Sequence, residues 1–379
     1  MTRKERMLAA IRLESVDRVP HTTYNIHPYR NSKHAQHASY SEILGQIRKT
    51  AGVAVKMNAG DPGIGLTRYD PARQETLVDG CGDYRTITTT VHTPKGDLTS
   101  IARSPENKPG MTVKHFIVDD SDIEKYLSIP YEPLVLDASQ IRAAYDSFGE
   151  NGLIFVVYWD SMFATASLFD FEDFCIRTLT DRSTINHMID WAFERSIRNV
   201  KDLTEACKGM DVVFHTSGPE LCTPPMLPPS CFAELVMPYI RKTTEVIHDA
   251  GMLSAIHCHG RVREIFPEIL KTGADLIEPI EPLPQGNAGL EELMKMAEGK
   301  ICLMGHIQDQ EFYSALPGQM SGWVEQIARI VDGRTGYIMS PTCTPFEFPC
   351  GETYKSNYLE WLRAADKCLN HVSCVGAQS

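Results

Sequence analysis

The chain has 379 residues, with 37 basic and 49 acidic side chains, which gives a net charge of −12. Its 42% hydrophobic and 23% charged residues are close to globular averages and exclude a disordered chain. The acidic balance disfavours nucleic acid and anionic membranes as partners, because phosphates require a basic surface. No stretch approaches the roughly 18–20 apolar residues of a membrane span, so we expect no membrane partner.

The N-terminal segment and the cysteines both predict a cytoplasmic protein. Residues 1–7 are charged and lead into an amphipathic helical pattern, which differs from a secretory leader. Eleven cysteines are scattered singly without a CxxC pair, which favours reduced thiols. The length allows two or three ordinary domains, or one large barrel with additions.

The first 150 residues mix short helices with a β-hairpin. Thr2 is placed to cap a helix that ends before Asp17. Thr-rich, alternating residues 84–91 and 98–101 flank a turn, which predicts a hairpin. Short helices are expected to follow over 120–127 and 138–147.

From about residue 150, strands alternate with helices. Residues 153–158 form a continuous apolar run, the pattern of a strand that is buried on both faces. A single long helix is predicted over 230–250, ending at Gly251. Further strands are predicted over 211–215, 252–257, 275–280, 301–305 and 337–340. Such alternation indicates a parallel sheet covered by helices, either an open doubly wound sheet or a (β/α)8 barrel.

Motifs and the positions of polar residues favour the barrel. No GxGxxG follows a strand and no GxxxxGK[ST] occurs, so a nucleotide-binding open sheet lacks its best evidence. Polar residues directly follow the predicted strands, where barrel enzymes keep their catalytic groups. We therefore predict an α/β protein with one (β/α)8 TIM barrel domain over 1–379. Residues 1–150 would hold the first strands and a helical and β-hairpin elaboration, and residues 151–365 the main barrel.

The strongest local signal is His-Cys-His-Gly at 257–260, at the end of a strand. Alternate side chains of a strand point the same way, so His257 and His259 share one side. Two imidazoles at a barrel mouth can hold a transition metal. Cys343, after a later strand, can supply a thiolate, and Glu220 can add a carboxylate or hold a water or substrate in an open position. The alternative is that the histidines bind backbone or substrate groups without a metal.

Several motifs resemble the uroporphyrinogen decarboxylase superfamily. The segment 257–260 leads through a helix to Gly-Ala-Asp-Leu-Ile-Glu-Pro-Ile-Glu-Pro at 273–282. Met-Gly-His-Ile-Gln at 304–308, Gly-Tyr-Ile-Met-Ser-Pro at 336–341 and Asp-Arg-Val-Pro at 17–20 also fit. The match covers most of the chain in order. The resemblance implies a (β/α)8 barrel, in agreement with the pattern of strands and helices.

Within that superfamily, the chain resembles the cobalamin-dependent methyltransferases more than the true decarboxylases. The decarboxylases carry an Arg-Gln-Ala-Gly-Arg type segment near the N-terminus, whereas residues 21–28 contain no arginine. The methyltransferases bind zinc through His-x-Cys and a later Cys, and His257 and Cys343 match those positions. His259 stands where thiol-activating members have Cys, and a harder site suits an oxygen- or nitrogen-bound methyl group.

The resemblance implies a zinc-dependent methyltransferase that moves a methyl group from a small methoxylated, aromatic substrate to the Co(I) of a corrinoid protein. Zinc would act as a Lewis acid at the ether oxygen, with Glu220, His257 and His259 as catalytic residues. The alternatives are decarboxylation of a tetrapyrrole or another carboxylic acid, and a non-catalytic binding barrel. A homodimer is a further expectation. The residues assigned to substrate binding are Tyr24, Asn25, His27, Tyr158, Trp159, Asp160, Met304, His306 and Phe346.

Overall fold

An eight-stranded parallel sheet forms the centre of the protein. The computed structural model describes residues 1–29, 32–60, 62–68, 70, 72–81, 84–105 and 110–369. The sheet strands, in chain and spatial order, are β1 (Thr22–Tyr24), β2 (Gly52–Met57), β3 (Gly152–Trp159), β4 (Val213–Ser217), β5 (Leu253–His257), β6 (Leu276–Ile280), β7 (Cys302–Ile307) and β8 (Tyr337–Pro341). A parallel bridge between His21 and Met339 joins β8 to the start of β1. The predicted (β/α)8 barrel is therefore confirmed.

Helices cover the outside of the barrel, and this explains the apolar strands. Leu153, Ile154, Phe155 and Val156 of β3 are all buried, because one face meets the barrel interior and the other meets helices. The α-helices are Arg3–Ile11, Lys33–Gln36, Ser41–Thr50, Asp120–Leu127, Ser139–Phe148, Ser161–Ala166, Phe171–Thr180, Arg182–Ala206, Pro229–Leu235, Met237–Asp249, Phe266–Lys271, Leu290–Ala297, Asp309–Ser314, Gln319–Val331 and Glu352–Leu369. Within the described part of the chain, none of them is both long and apolar enough to cross a membrane.

The N-terminal helix Arg3–Ile11 begins with the predicted cap. The Thr2 hydroxyl accepts a hydrogen bond from the Glu5 amide at 3.1 Å, and the Glu5 carboxylate accepts one from the Thr2 amide at 2.8 Å. This reciprocal pair satisfies two amides that a helix start leaves unpaired. Met7 and Ile11 then pack into the core.

The predicted hairpin is confirmed and belongs to a four-stranded antiparallel sheet inserted between β2 and β3. Tyr84–Thr93 pairs with Gly96–Pro105 across a two-residue turn. Gly96 has a φ of +120°, a backbone conformation that glycine adopts without steric cost. The outer strands, Gln74–Cys81 and Met111–Lys114, complete the sheet.

The single helix predicted over 230–250 is wrong, because the structure has two helices there. Pro229–Leu235 ends at Val236, and Met237–Asp249 begins directly after it. Pro238 lies in the first turn of the second helix. Proline has no amide hydrogen and its ring collides with the carbonyl one turn earlier, so it kinks or breaks a helix that would otherwise continue.

Gly152 at the start of β3 should not tolerate a side chain. A Cβ atom there would lie 2.6 Å from the Val53 carbonyl oxygen of the paired strand. We expect Gly152→Ala to lower the free energy of unfolding by about 1–3 kcal/mol, as overpacking does. Gly45→Ala is the matched control, because a Cβ at this helical position meets nothing within 4 Å. It should stabilise the protein by up to about 1 kcal/mol through helix propensity. Urea denaturation of both variants checks this, and equal unfolding midpoints would contradict it.

Candidate functional site

Five polar side chains from five barrel strands meet inside the barrel. They are Tyr24 (β1), Lys56 (β2), His215 (β4), His257 (β5) and Glu278 (β6). Strand register brings His257 opposite Glu278, since the two residues are paired across β5 and β6. Parallel strands thus bring together residues that lie far apart in sequence.

Glu278 is the hub of this cluster. Its Oε1 atom lies 2.7 Å from Nδ1 of His257 and 3.3 Å from Nζ of Lys56. The same oxygen accepts a short hydrogen bond from Nε2 of His215. Lys56 also donates to the Tyr24 hydroxyl, and its Nζ lies 4.6 Å from the centre of the Tyr24 ring. One carboxylate oxygen therefore holds two imidazoles and an ammonium group in place.

The charges of the cluster fix its hydrogen-bond directions. Burial alone would raise the pKa of Glu278, but Lys56, His257 and His215 outweigh burial and hold the pKa well below its ordinary value. Burial lowers the pKa of His215 to about 3, and Lys56 adds to this effect, so His215 is neutral. Because an ionised Glu278 can only accept, Nδ1 of His257 carries its proton. This tautomer leaves the lone pair of the ring on Nε2.

His259 and Glu281 repeat the arrangement one step nearer the barrel mouth. Nδ1 of His259 lies 3.2 Å from Oε1 of Glu281, whose other oxygen accepts from the Gly260 amide at 2.7 Å. The rings of His257 and His259 are perpendicular, with centres 4.6 Å apart. Among the described residues, neither ring has a hydrogen-bond partner at Nε2.

The surroundings of His259 are negative. Burial lowers the pKa of His259, but the hydrogen bond to Glu281 and the nearby Glu220 and Glu278 carboxylates raise it by more. The net shift of the pKa is therefore upward. The same negative potential would favour a bound metal cation. Carboxylates that accept from Nδ1 of histidines are also the usual outer partners of metal ligands, because they orient the ring and make Nε2 more basic.

Two donor sets for a metal follow from this geometry. His215, His257 and Glu278 are the described trio whose ligand atoms all lie within 4.8 Å of one another. Its carboxylate, however, already has the Lys56 ammonium beside it, which opposes a second cation. The donor set predicted from sequence is His257, His259, Cys343 and Glu220. These four residues do not form such a close group among the described residues, so their ligand atoms would have to move closer together to bind a metal.

The remaining members of that predicted set lie at the same rim. One carboxylate oxygen of Glu220, in the turn Pro219–Cys222, is buried without a hydrogen-bond partner among the described groups. Burial raises the pKa of the Cys343 thiol, and Asp309 adds to the effect. A buried orphan carboxylate oxygen, a protonated thiol and two imidazoles with free Nε2 atoms are suitable donors for zinc, which would displace the thiol proton.

Asp160 follows β3 and is the buried acid of this rim. Its oxygens accept from the Phe163 amide at 2.9 Å and the Thr216 hydroxyl at 3.1 Å. Burial raises the pKa of Asp160 to about 7, with a further contribution from Glu220. At neutral pH this residue is therefore poised to hold or release a proton.

The pKa of Asp160 predicts a specific pH dependence of stability. Because the folded pKa lies above the unfolded one, the folded state binds the extra proton, and this stabilisation is present at low pH and lost as pH rises towards 7. Asp160→Asn mimics the protonated acid and removes the effect. As pH rises from 5 to 7.5, the free energy of unfolding of the variant, measured with urea, should increase by roughly 2–3 kcal/mol relative to that of the parent protein. A difference that stays constant over this range would refute the assignment.

Asn25 and His27, both predicted to contact substrate, make contacts with other parts of the protein. The Asn25 amide group bonds the Lys56 backbone at 2.9 Å and the Thr344 hydroxyl at 3.3 Å, and so ties β1 to β2 and to the segment after β8. His27 packs its ring against Phe148 in the helical layer, 5.1 Å between centres.

The other predicted pocket residues are spread over the barrel. Tyr158 lines a cavity of about 20 Å³ between β3 and the helix Arg182–Ala206. Trp159 is 37% exposed, and Phe346 is 59% exposed. Met304 is fully buried. His306 lines a separate cavity between two outer helices. Of the nine predicted residues, Tyr24 bonds the Lys56 ammonium of the central cluster, and Asn25 bonds the Lys56 backbone.

Sequence reasoning misses Lys56 and gives His215 and Glu278 no role. Lys56 and Glu278 could have been found, because each is the single ionisable residue of an apolar strand. Lys56 lies within Gly-Val-Ala-Val-Lys-Met, and Glu278 lies within Leu-Ile-Glu-Pro-Ile. Such residues are rarely buried unless they are paired. Two such residues of opposite charge predict a buried ion pair, but which residues pair depends on the register of the sheet.

Comparisons with known proteins agree with the fold. A model of the uroporphyrinogen decarboxylase (URO-D) family matches residues 111–348. A solved structure of a methyltransferase from Methanosarcina mazei is similar with a TM-score of 0.59 and 13% identity, over 96% of this chain and 98% of that one. At this identity the likeness shows the fold alone.

Other comparisons add less. A D-psicose 3-epimerase with D-tagatose from Clostridium cellulolyticum H10 is similar over 65% of this chain and 90% of that one, at 12% identity. Its TM-score of 0.36 is too low to support an argument. Curated protein sequences give no match. The family model covers more than half of the chain, and so the protein belongs to the uroporphyrinogen decarboxylase family.

Proposed function

We propose that the protein is a zinc-dependent methyltransferase that moves a methyl group from a small methoxylated substrate to the Co(I) of a corrinoid protein. The observation that carries the proposal is the pair of histidines at the barrel mouth. Nδ1 of His257 is held by Glu278 and Nδ1 of His259 by Glu281, so both Nε2 atoms are available as ligands. The similar fold of a methyltransferase from Methanosarcina mazei supports the same reaction class.

His257, His259 and Cys343 would hold the metal, with Glu220 as fourth ligand or as the neighbour of an open position. Bound zinc would supply Lewis acidity at the ether oxygen of the substrate. Glu278 and Glu281 would orient the two rings, and Lys56 would keep Glu278 ionised. Tyr24 would hold the Lys56 ammonium in place from the neighbouring strand β1.

The departing oxygen of a methyl ether needs a proton, because an alkoxide or phenoxide is a poor leaving group. Asp160 keeps a proton up to about pH 7 and lies at the end of β3, beside the end of β4. It is the general acid that we assign to this reaction. In the proposed reaction the methyl–oxygen bond would break, the methyl group would pass to the Co(I) acceptor, and Asp160 would give its proton to the departing oxygen.

A decarboxylase of a tetrapyrrole or other carboxylic acid is the alternative, and membership of the family favours it. A substrate with several carboxylates needs several cations. Among the described side chains, the central cluster contains one permanent cation, Lys56, and Glu278 already neutralises it. The charges of the cluster therefore support the methyltransferase over a decarboxylase of a polycarboxylate.

Methylation of Co(I)-cobalamin tests the proposal. Zinc-loaded protein is mixed with Co(I)-cobalamin and a panel of methoxyarenes and methylamines, and methylcobalamin is followed by its absorbance. We expect methylcobalamin from at least one methoxyarene. Turnover of uroporphyrinogen without metal or cobalamin, with no methyl transfer from any donor, would overturn the proposal in favour of the decarboxylase.

A further inference from the structure

A cavity of about 440 Å³ lies outside the barrel beside the end of β7. Its walls come from the helices Leu290–Ala297 and Gln319–Val331 and from the segment after β6. Leu290 and Ile327 contribute apolar surface, and this volume lies in the range of small-molecule sites. None of the candidate metal ligands lines it, so it is separate from the site described above.

The charge of this cavity has one sign. Glu291 and Glu311 line it, and no lysine or arginine does. Within the described part of the chain, neither glutamate takes part in an ion pair. Each also lies in the first turn of a helix, where a negative charge stabilises the helix dipole. The helices explain the presence of the two carboxylates, but they leave both available to a cation.

The wall of the cavity also contains a tryptophan and a histidine. Trp323 lines it, and tryptophan is the best aromatic partner for a cation. His306, also in the wall, has a φ of +77°, which is uncommon for a residue other than glycine. Its Nδ1 atom is buried and has no hydrogen-bond partner among the described groups.

We propose that this cavity binds an organic ammonium ion with an apolar body. The two carboxylates would neutralise the charge, Trp323 would contact the cationic group, and Leu290 and Ile327 would cover the apolar part. An anion is disfavoured because it would meet two unpaired carboxylates. The site does not depend on the methyl transfer proposed above, since it uses none of the residues that would hold zinc.

Gln308 links the two sites. Its side chain lines the cavity and also interacts with Glu281, the carboxylate that holds His259. The cavity thus adjoins the candidate metal centre through a single side chain.

Isothermal titration with three probes tests the proposal. Benzyltrimethylammonium should bind at least about tenfold more tightly than benzyl alcohol, the gain of a cation–π contact and two carboxylates. Phenylacetate should bind more weakly than the alcohol. The double variant E291Q/E311Q should lower the affinity for the cation by about tenfold and leave that for benzyl alcohol unchanged.

Glu292→Gln is the matched control. Glu292 lies next to Glu291 on the same helix, but it pairs with Arg263 at 2.8 Å and does not line the cavity. This variant should bind the cation as the parent protein does. Trp323→Phe should weaken binding of the cation several-fold and abolish any change in tryptophan fluorescence on binding. Equal binding of phenylacetate and the cation, or unchanged cation binding in E291Q/E311Q, would overturn the proposal, as would no heat with any probe up to millimolar concentration.

Discussion

Replacement of Glu278 by glutamine should destabilise the protein by about 3 kcal/mol, because removal of one partner from a buried ion pair leaves the other charge uncompensated. Glu278 is 1% exposed, and Lys56 has no other carboxylate partner among the described residues. The amide that replaces the carboxylate also presents donors to His215 and His257, which would have to change tautomer. Urea unfolding at neutral pH measures the loss.

The pH dependence of this difference has a defined sign. The folded pKa of Glu278 lies below its ordinary value of 4.5, so its contribution is complete above that value and is lost as pH falls through the folded pKa. The gap between parent and variant should therefore be constant above about pH 5 and shrink in acid. Glu268→Gln, which removes a pair with the exposed Lys271, is the control and should cost less than about 1 kcal/mol. Equal losses of unfolding free energy in the two variants would show that the buried cluster stabilises the protein no more than an exposed ion pair does.

Replacement of His257 by alanine should remove zinc binding and methyl transfer together. It deletes the ligand that Glu278 orients, so the affinity for zinc should fall by more than the roughly 10–100-fold typical of outer-shell changes. His215→Ala deletes an outer partner of Glu278 and should stay within that range. Zinc affinity is measured by competition with a chelator.

His248→Ala is the matched control for these histidine variants. His248 bonds Asp275 at 2.8 Å and is 41% exposed, on the outside of the barrel. Its removal should change neither zinc affinity nor methyl transfer. If His257→Ala retains zinc, His257 is not a ligand and the proposed set is wrong. If His215→Ala loses zinc as completely as His257→Ala does, the metal belongs to the trio of His215, His257 and Glu278.

Much of the fold follows from sequence patterns. Apolar runs such as 153–158 predict strands that are buried on both faces, and glycines such as Gly251 and Gly273 end the intervening helices. The break at Val236 does not follow from hydrophobic spacing, which continues across it. Pro238 carries that information, and the backbone at Val236 turns away from a continuous helix.

The candidate site is harder to predict than the fold. The spacing of His257 and His259 places them on one side of a strand end, where the structure has them. Their carboxylate partners are Glu278 in the next strand and Glu281 directly after it. The contact between Lys56 and Glu278 spans barrel strands that are not neighbours. Such contacts depend on barrel closure and register, which no local pattern encodes.

X-ray absorption at the zinc edge reports directly on the proposed metal ligands. Protein purified and equilibrated with zinc should bind one equivalent and show one sulfur at about 2.3 Å with nitrogen ligands at about 2.0–2.1 Å, as expected for Cys343, His257 and His259. The sulfur signal should disappear in Cys343→Ser. Protein that binds no zinc, or a zinc shell without sulfur in the parent protein, would rule out the proposed zinc site.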